Sequence, residues 1–153
     1  MKKRPDAFNN KKVKVPFFYP SITKADKLAI MKALNSPLLT DGPNLNKFES
    51  DFGKFCGSLN STGVSNATSG LFLSLKSLGI GLNDQVIIPD ITFAATASSV
   101  LQTGGIPVLA DVDDDLNISP ESIKKCINKK TKAIIPVHFA GKSCKINEIM
   151  KLA

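Results

Sequence analysis

Three continuous apolar runs, at residues 85–89, 107–112 and 133–138, alternate with stretches of helical periodicity. This order leaves a chain few ways to fold. Runs without polar alternation suit strands buried on both faces, and strands separated by helices must be parallel, with right-handed crossovers. Residues 62–65 are a fourth strand candidate, and helices are expected near 68–78, 92–102 and 120–127. In such α/β layouts the loops at the strand carboxyl ends open on one edge, where ligands bind.

The stretch from Thr62 to Phe93 bears on that edge most directly. Ser65-Asn66-Ala67-Thr68-Ser69-Gly70 opens a helix, whose first backbone N–H groups lack partners and carry partial positive charge. Small residues there let a phosphate sit on the backbone, with Thr68 and Ser69 adding hydroxyl donors. Phe93 follows the next strand and would offer a flat apolar surface to a ring.

Local signals punctuate the rest. Thr23 and Asp26 read as a capping box for a helix carrying Leu28, Met31 and Leu34 on one face. Asn35-Ser36-Pro37 stops it. Pro43 suits the first turn of a second helix, whose Leu45, Phe48, Phe52 and Phe55 form a stripe ending at Gly57 and are expected in the core. Gly79 with Ile80 reads as a Schellman cap, and Ser119 with Pro120 as a capped helix start. Residues 144–153 read as a helix without a C-cap, so Ala153 is expected to be an internal position of a longer chain.

With 42% hydrophobic and 22% charged residues the chain is expected to build a packed core. Six of its twenty basic residues lie in positions 1–14, against one acid, Asp6. Without a basic stripe interleaved with aromatics elsewhere, this arm reads as a solvated, poorly ordered terminus and not as a nucleic-acid or membrane contact. No apolar run has the length of a membrane span, and the start lacks the pattern of a secretory signal. Three widely spaced cysteines fit reduced thiols in a cytoplasm, with Cys56 and Cys126 expected to be buried and inert. Asp111, Asp113, Asp114 and Asp115 read as a solvated turn, with no metal expected. The lone His138, at a strand end facing the ligand edge, is expected to have a supporting rather than a proton-transferring role.

From about Val15 onward these pieces resemble the DegT/DnrJ/StrS family of sugar aminotransferases. The resemblance rests on Thr40-Asp41-Gly42-Pro43 with Phe48-Glu49, Val64-Ser65-Asn66-Ala67-Thr68, Leu78-Gly79-Ile80-Gly81 with Asp84, and Val86-Ile87-Ile88-Pro89. It continues through Thr92-Phe93-Ala94-Ala95-Thr96-Ala97, Gly105-Ile106-Pro107-Val108, Asp111-Val112-Asp113, Leu116-Asn117-Ile118, Thr131 to His138, and Gly141. Each piece is weak alone, and their order and spacing make the signal.

The resemblance implies a fold type I, aspartate-aminotransferase-like large domain, three-layer α/β/α with a mainly parallel sheet, of which residues 15–153 would be the N-terminal portion. It implies pyridoxal 5'-phosphate as cofactor, with Ala67, Thr68 and Ser69 at the phosphate and Phe93 stacked on the pyridine ring. Many family members have Gly at position 67 and Ala at 69 and 70, a small departure here. Thr40 and Asp41 would line the sugar side.

The implied activity is amino transfer, with glutamate the usual donor, to a nucleotide-linked keto-sugar for cell-surface polysaccharide or related amino-sugar biosynthesis, in a homodimer. The Schiff-base lysine and the aspartate that holds the pyridine nitrogen would lie beyond Ala153, since Lys76, Lys132 and Lys142 do not occupy the family position. Residues 1–153 alone are then expected to be inactive and poorly stable. Two other readings remain at this stage, a dehydratase of the same family and a non-catalytic scaffold that keeps the fold.

Overall fold

The computed structural model describes residues 20–153. The basic arm at 1–14 lies outside them. The chain divides into two compact units, residues 1–63 and 64–153.

In the first unit, described from residue 20, α1 spans Lys24–Leu34 and α2 spans Pro43–Cys56. The expected capping box forms at α1, where the Asp26 N–H donates to Thr23 Oγ1 at 3.2 Å and the Thr23 N–H to Asp26 Oδ2 at 2.6 Å. Pro43 occupies the first turn of α2, and Gly57 ends it at φ 67°, a left-handed conformation that only glycine adopts without strain. The apolar faces depart from expectation. Leu28, Met31 and Leu34 are exposed, and so are Phe48, Phe52 and Phe55, although the first two phenylalanine rings lie 5.7 Å apart. Two short helices without a sheet cannot enclose a stripe of this size.

The second unit is built as the alternation demands. Helix α3 spans Ala67–Ser77, β1 Gln85–Pro89, α4 Ala94–Thr103, β2 Ile106–Ala110, α5 Pro120–Cys126, β3 Thr131–Ile134 and α6 Ile146–Leu152. The strands form a parallel sheet in the order β2-β1-β3. Ile87 stands level with Val108 on one side and Ile134 on the other. Successive residues of β1 point to opposite faces. Val86 and Ile88 join Leu75, Ile80 and Val100 on the α3/α4 side, while Ile87 joins Ile118, Ile123, Cys144 and Ile149 on the α5/α6 side. Hence three layers, α/β/α, with the central strand buried on both faces.

Several expected boundaries move. Residues 62–65 carry no strand. The third strand stops at Ile134, although the Ile135 N–H still reaches Ile87 O at 2.9 Å, because Pro136 has no N–H to continue the ladder. Val112 leaves the sheet and pairs antiparallel with Ile118, closing the acidic turn. The Schellman cap of α3 is complete, with Ile80 N–H on Leu75 O and Gly79 N–H on Lys76 O, both at 3.0 Å. Ser119 stands at the start of α5, but its side chain makes no capping bond and turns to Asp113 instead.

Candidate functional site at the carboxyl edge of the sheet

Two helix starts reach one edge of the sheet. Helix α4 leaves the carboxyl end of β1 and finishes at Gly104, just before β2 begins. The end of α3 lies beside it, since a methyl on Gly104 would sit 3.5 Å from Leu82 Cδ1, and one on Gly105 3.3 Å from Ile80 Cγ2. With α3 packed against α4, the two helices run side by side, and both N-termini point to the edge where the strands end.

At the start of α3, Asn66 is the capping residue. Its Oδ1 accepts the Ser69 N–H at 2.9 Å, and its backbone oxygen accepts the Gly70 N–H at 3.1 Å. The N–H groups of Ala67 and Thr68 then have no acceptor among the described residues. Ser65 and Ser69 hydroxyls lie 3.3 Å apart, and the Thr68 and Ser69 side chains are half-buried. Two free donors, flanking hydroxyls and the helix dipole fit a phosphate. Gly70 is snug here, because a methyl on it would stand 3.4 Å from Val64 Cγ2.

Phe93 caps the start of α4 by position, with extended backbone, and is 80% exposed. A phenylalanine so exposed beside a buried strand is a free stacking face. Below it Thr92 and Thr96 hydroxyls meet at 2.9 Å, fixing the turn from β1 into α4. Thr40 and Asp41 belong to the other unit. Asp41 has φ 47° and, with Ile30, Leu34, Leu38 and Leu45, lines a cleft of about 450 Å³ that Thr40 does not reach.

Beside β1, the chain leaving β3 passes through His138 and a tight turn at Phe139–Gly141. Neutral His138 accepts the Cys144 N–H on Nδ1 at 3.1 Å, which puts its own proton on Nε2. The acidic turn holds this segment. Lys145 reaches Asp113 at 2.8 Å and Lys142 reaches Asp115 at 3.1 Å. The Asn117 backbone N–H, its side-chain amide and Lys142 hold the Asp115 carboxyl at about 2, well below the usual carboxylate range. Lys145, then the Ser119 hydroxyl, lowers Asp113, and Asp113 in turn raises Lys145. These acids pair with lysines, and among the described residues no group of three His, Cys, Asp or Glu side chains could hold a metal.

The thiols sort differently from expectation. Cys56 is exposed at the end of α2, Cys126 is half-buried, and Cys144 is buried, with burial pushing its thiol pKa up. A stripe reading could not separate them, because α2 lacks a covering layer.

The comparisons with known proteins converge on this arrangement. The model of the DegT/DnrJ/EryC1/StrS aminotransferase family matches residues 20–153. The chain belongs to that family. It is 39% identical over 140 residues to the spore coat polysaccharide biosynthesis protein SpsC of Bacillus subtilis, covering 91% of this chain and 36% of that protein. Among solved structures it resembles a putative sugar aminotransferase from Streptococcus pneumoniae in its PLP form, at 30% identity and TM-score 0.86, over 90% of this chain and 36% of that one. It also resembles Helicobacter pylori PseC, an aminotransferase involved in the biosynthesis of pseudoaminic acid, at 35% identity and TM-score 0.80, over 87% of this chain and 36% of that one. The chain therefore spans about a third of the length of these relatives. Its α/β fold with a parallel sheet is that of PLP-dependent sugar aminotransferases, as part of a domain.

Asn66 and Asn117 are the residues that sequence reasoning passed over. Asn66 could have been read as a cap from its place three residues before Ser69. Asn117 gave no such signal, since the Phe139 N–H and the Cys144 thiol that its Oδ1 accepts lie twenty-two and twenty-seven residues away.

Proposed function

We propose that residues 15–153 form the N-terminal portion of the cofactor-binding large domain of a PLP-dependent sugar aminotransferase. The observation that carries this reading is the pairing of two free N–H groups at Ala67 and Thr68 with the exposed ring of Phe93 on one edge. Ala67, Thr68 and Ser69 bind the phosphate, through N–H groups and hydroxyls at the positive end of α3. Phe93 covers one face of the pyridine ring and keeps water from it. When bound, the cofactor supplies the electron sink that amino transfer needs.

The substrates in this reading are an amino-acid donor, glutamate, and a nucleotide-linked keto-sugar, with Thr40 and Asp41 on the sugar side. The names of the relatives support the sugar class, for spore-coat polysaccharide in one and pseudoaminic acid in another. The lysine that anchors the cofactor and the aspartate facing the pyridine nitrogen come from outside residues 1–153, so this stretch alone is inactive. The working unit is a cytoplasmic homodimer. No helix among the described residues is long and apolar enough to cross a membrane.

The test compares binding of pyridoxal 5'-phosphate and pyridoxal to the chain by quenching of cofactor fluorescence. Tighter binding of the phosphorylated form, lost when Ser69 becomes Asp and places a carboxylate at the helix start, is the expected result. Equal binding of both compounds would remove the phosphate site.

A further inference from the structure

We propose that Asn117 is a positioning residue for the carboxyl-edge site, holding the 137–144 segment so that His138 presents its Nε2–H outward as a donor. Asn117 is a polar side chain only 3% exposed, at the base of the acidic turn. Its Oδ1 accepts the Phe139 N–H at 3.0 Å and the Cys144 thiol at 3.4 Å, and its Nδ2 donates to Asp115 Oδ2 at 3.2 Å. One amide thus ties three strands of chain together.

The two bonds from Oδ1 fall on either side of the tight turn that follows His138. The Cys144 thiol also lies 3.1 Å from Val137 O, and the Cys144 N–H completes the circle on His138 Nδ1 at 3.1 Å. With Nδ1 so occupied, the neutral ring has one tautomer, and its Nε2–H finds no acceptor among the described residues. His138 is exposed, and because β3 lies next to β1, it emerges beside the loop that carries Phe93. A donor there suits an acceptor oxygen on a bound ligand.

Asn117 is suited to this task because its amide both accepts and donates. A buried amide with both ends matched fixes one arrangement, whereas an apolar residue would leave the Phe139 N–H without a partner. Ala140, at φ 50°, makes the turn costly to hold without such a tether. Lys142 on Asp115 and Lys145 on Asp113 close the same segment from outside.

His138 is the only histidine in the chain, so its ring nitrogens can be read without overlap in a nitrogen-15 imidazole spectrum. The cofactor-free chain should show the Nε2–H tautomer with Nδ1 as acceptor. Asn117→Leu, which keeps the volume and removes both polar ends, should lose that single tautomer and expose Cys144 to alkylation, with the sheet's isoleucine methyl signals unchanged. Asn117→Asp combined with Asp115→Asn, which keeps an accepting oxygen at position 117 and a donating amide at position 115, should restore the tautomer. An unchanged tautomer in Asn117→Leu would overturn the proposal, and so would its loss in both variants, since then any change at this position disturbs the segment. Where Asn117→Leu does not fold, Asn117→Ala, which removes the accepting oxygen with a smaller side chain, carries the test, and an unchanged tautomer there is equally adverse. The importance of the donor rests on reading this edge as the ligand edge. The spectra need no cofactor, so a failure to bind pyridoxal 5'-phosphate would count against that reading alone.

Discussion

Asn117 Oδ1 accepts the backbone N–H of Phe139 at 3.0 Å, joining the acidic turn after β2 to the segment that leaves β3. Around this buried bond the charged groups are arranged in pairs, and their titration sets the pH range in which the tether holds.

Asp115 is held at about 2, below its ordinary value of 3.8, and Asp113 is also lowered. A depressed carboxyl stabilises the fold above its unfolded value and loses that contribution as pH falls through the folded one. Lys145 is raised, so its contribution is present below its ordinary value of 10.5 and is lost as pH rises through the folded one. The thermal midpoint should fall as pH drops from about 4 to about 2. Asp115→Asn should flatten this acid limb, and an unchanged limb in the variant would show that other carboxyls set it.

Gly105 sits where three groups converge. A methyl there would stand 3.1 Å from Thr103 Oγ1 and 3.3 Å from both Asp84 O and Ile80 Cγ2. Asp84 O cannot yield, because it accepts the Ile106 N–H at 2.8 Å at the start of β2. Gly105→Ala should cost about 1–3 kcal/mol in a urea titration through overpacking. A loss below a few tenths would mean that the β1 and β2 starts shift freely.

Phe93 should separate binding from stability. Since it is 80% exposed, Phe93→Ala should change unfolding free energy by no more than about 0.5 kcal/mol. The same change should weaken pyridoxal 5'-phosphate by about 0.5–1.5 kcal/mol, the worth of an aromatic pair, read in the same fluorescence titration. Equal affinity in both proteins would take Phe93 out of the site.

Alkylation should rank the cysteines as exposed Cys56 first, half-buried Cys126 next and buried Cys144 last. Burial raises the Cys144 thiol pKa and so lowers its reactive thiolate fraction. Peptide mapping after partial modification measures the order, and early labelling of Cys144 would contradict the packing of α6.

The amino-acid sequence by itself determined the parallel α/β order, the caps at Thr23 and Gly79, and the helix start at Ala67 with the aromatic at Phe93. These are local signals, in which neighbours a few residues apart satisfy backbone groups or repeat an apolar spacing. Tertiary structure decided the rest. It left Phe48, Phe52 and Phe55 without cover, since periodicity says that a face is apolar but not what lies against it. It turned Asp113 and Asp115 from members of a solvated loop into partners of Lys145 and Lys142. It also buried Asn117, whose place depends on bonds to Phe139 and Cys144 that exist only once β1 lies between β2 and β3. Contacts between residues far apart in the chain leave no local periodicity, and the fold alone brings them within hydrogen-bond reach.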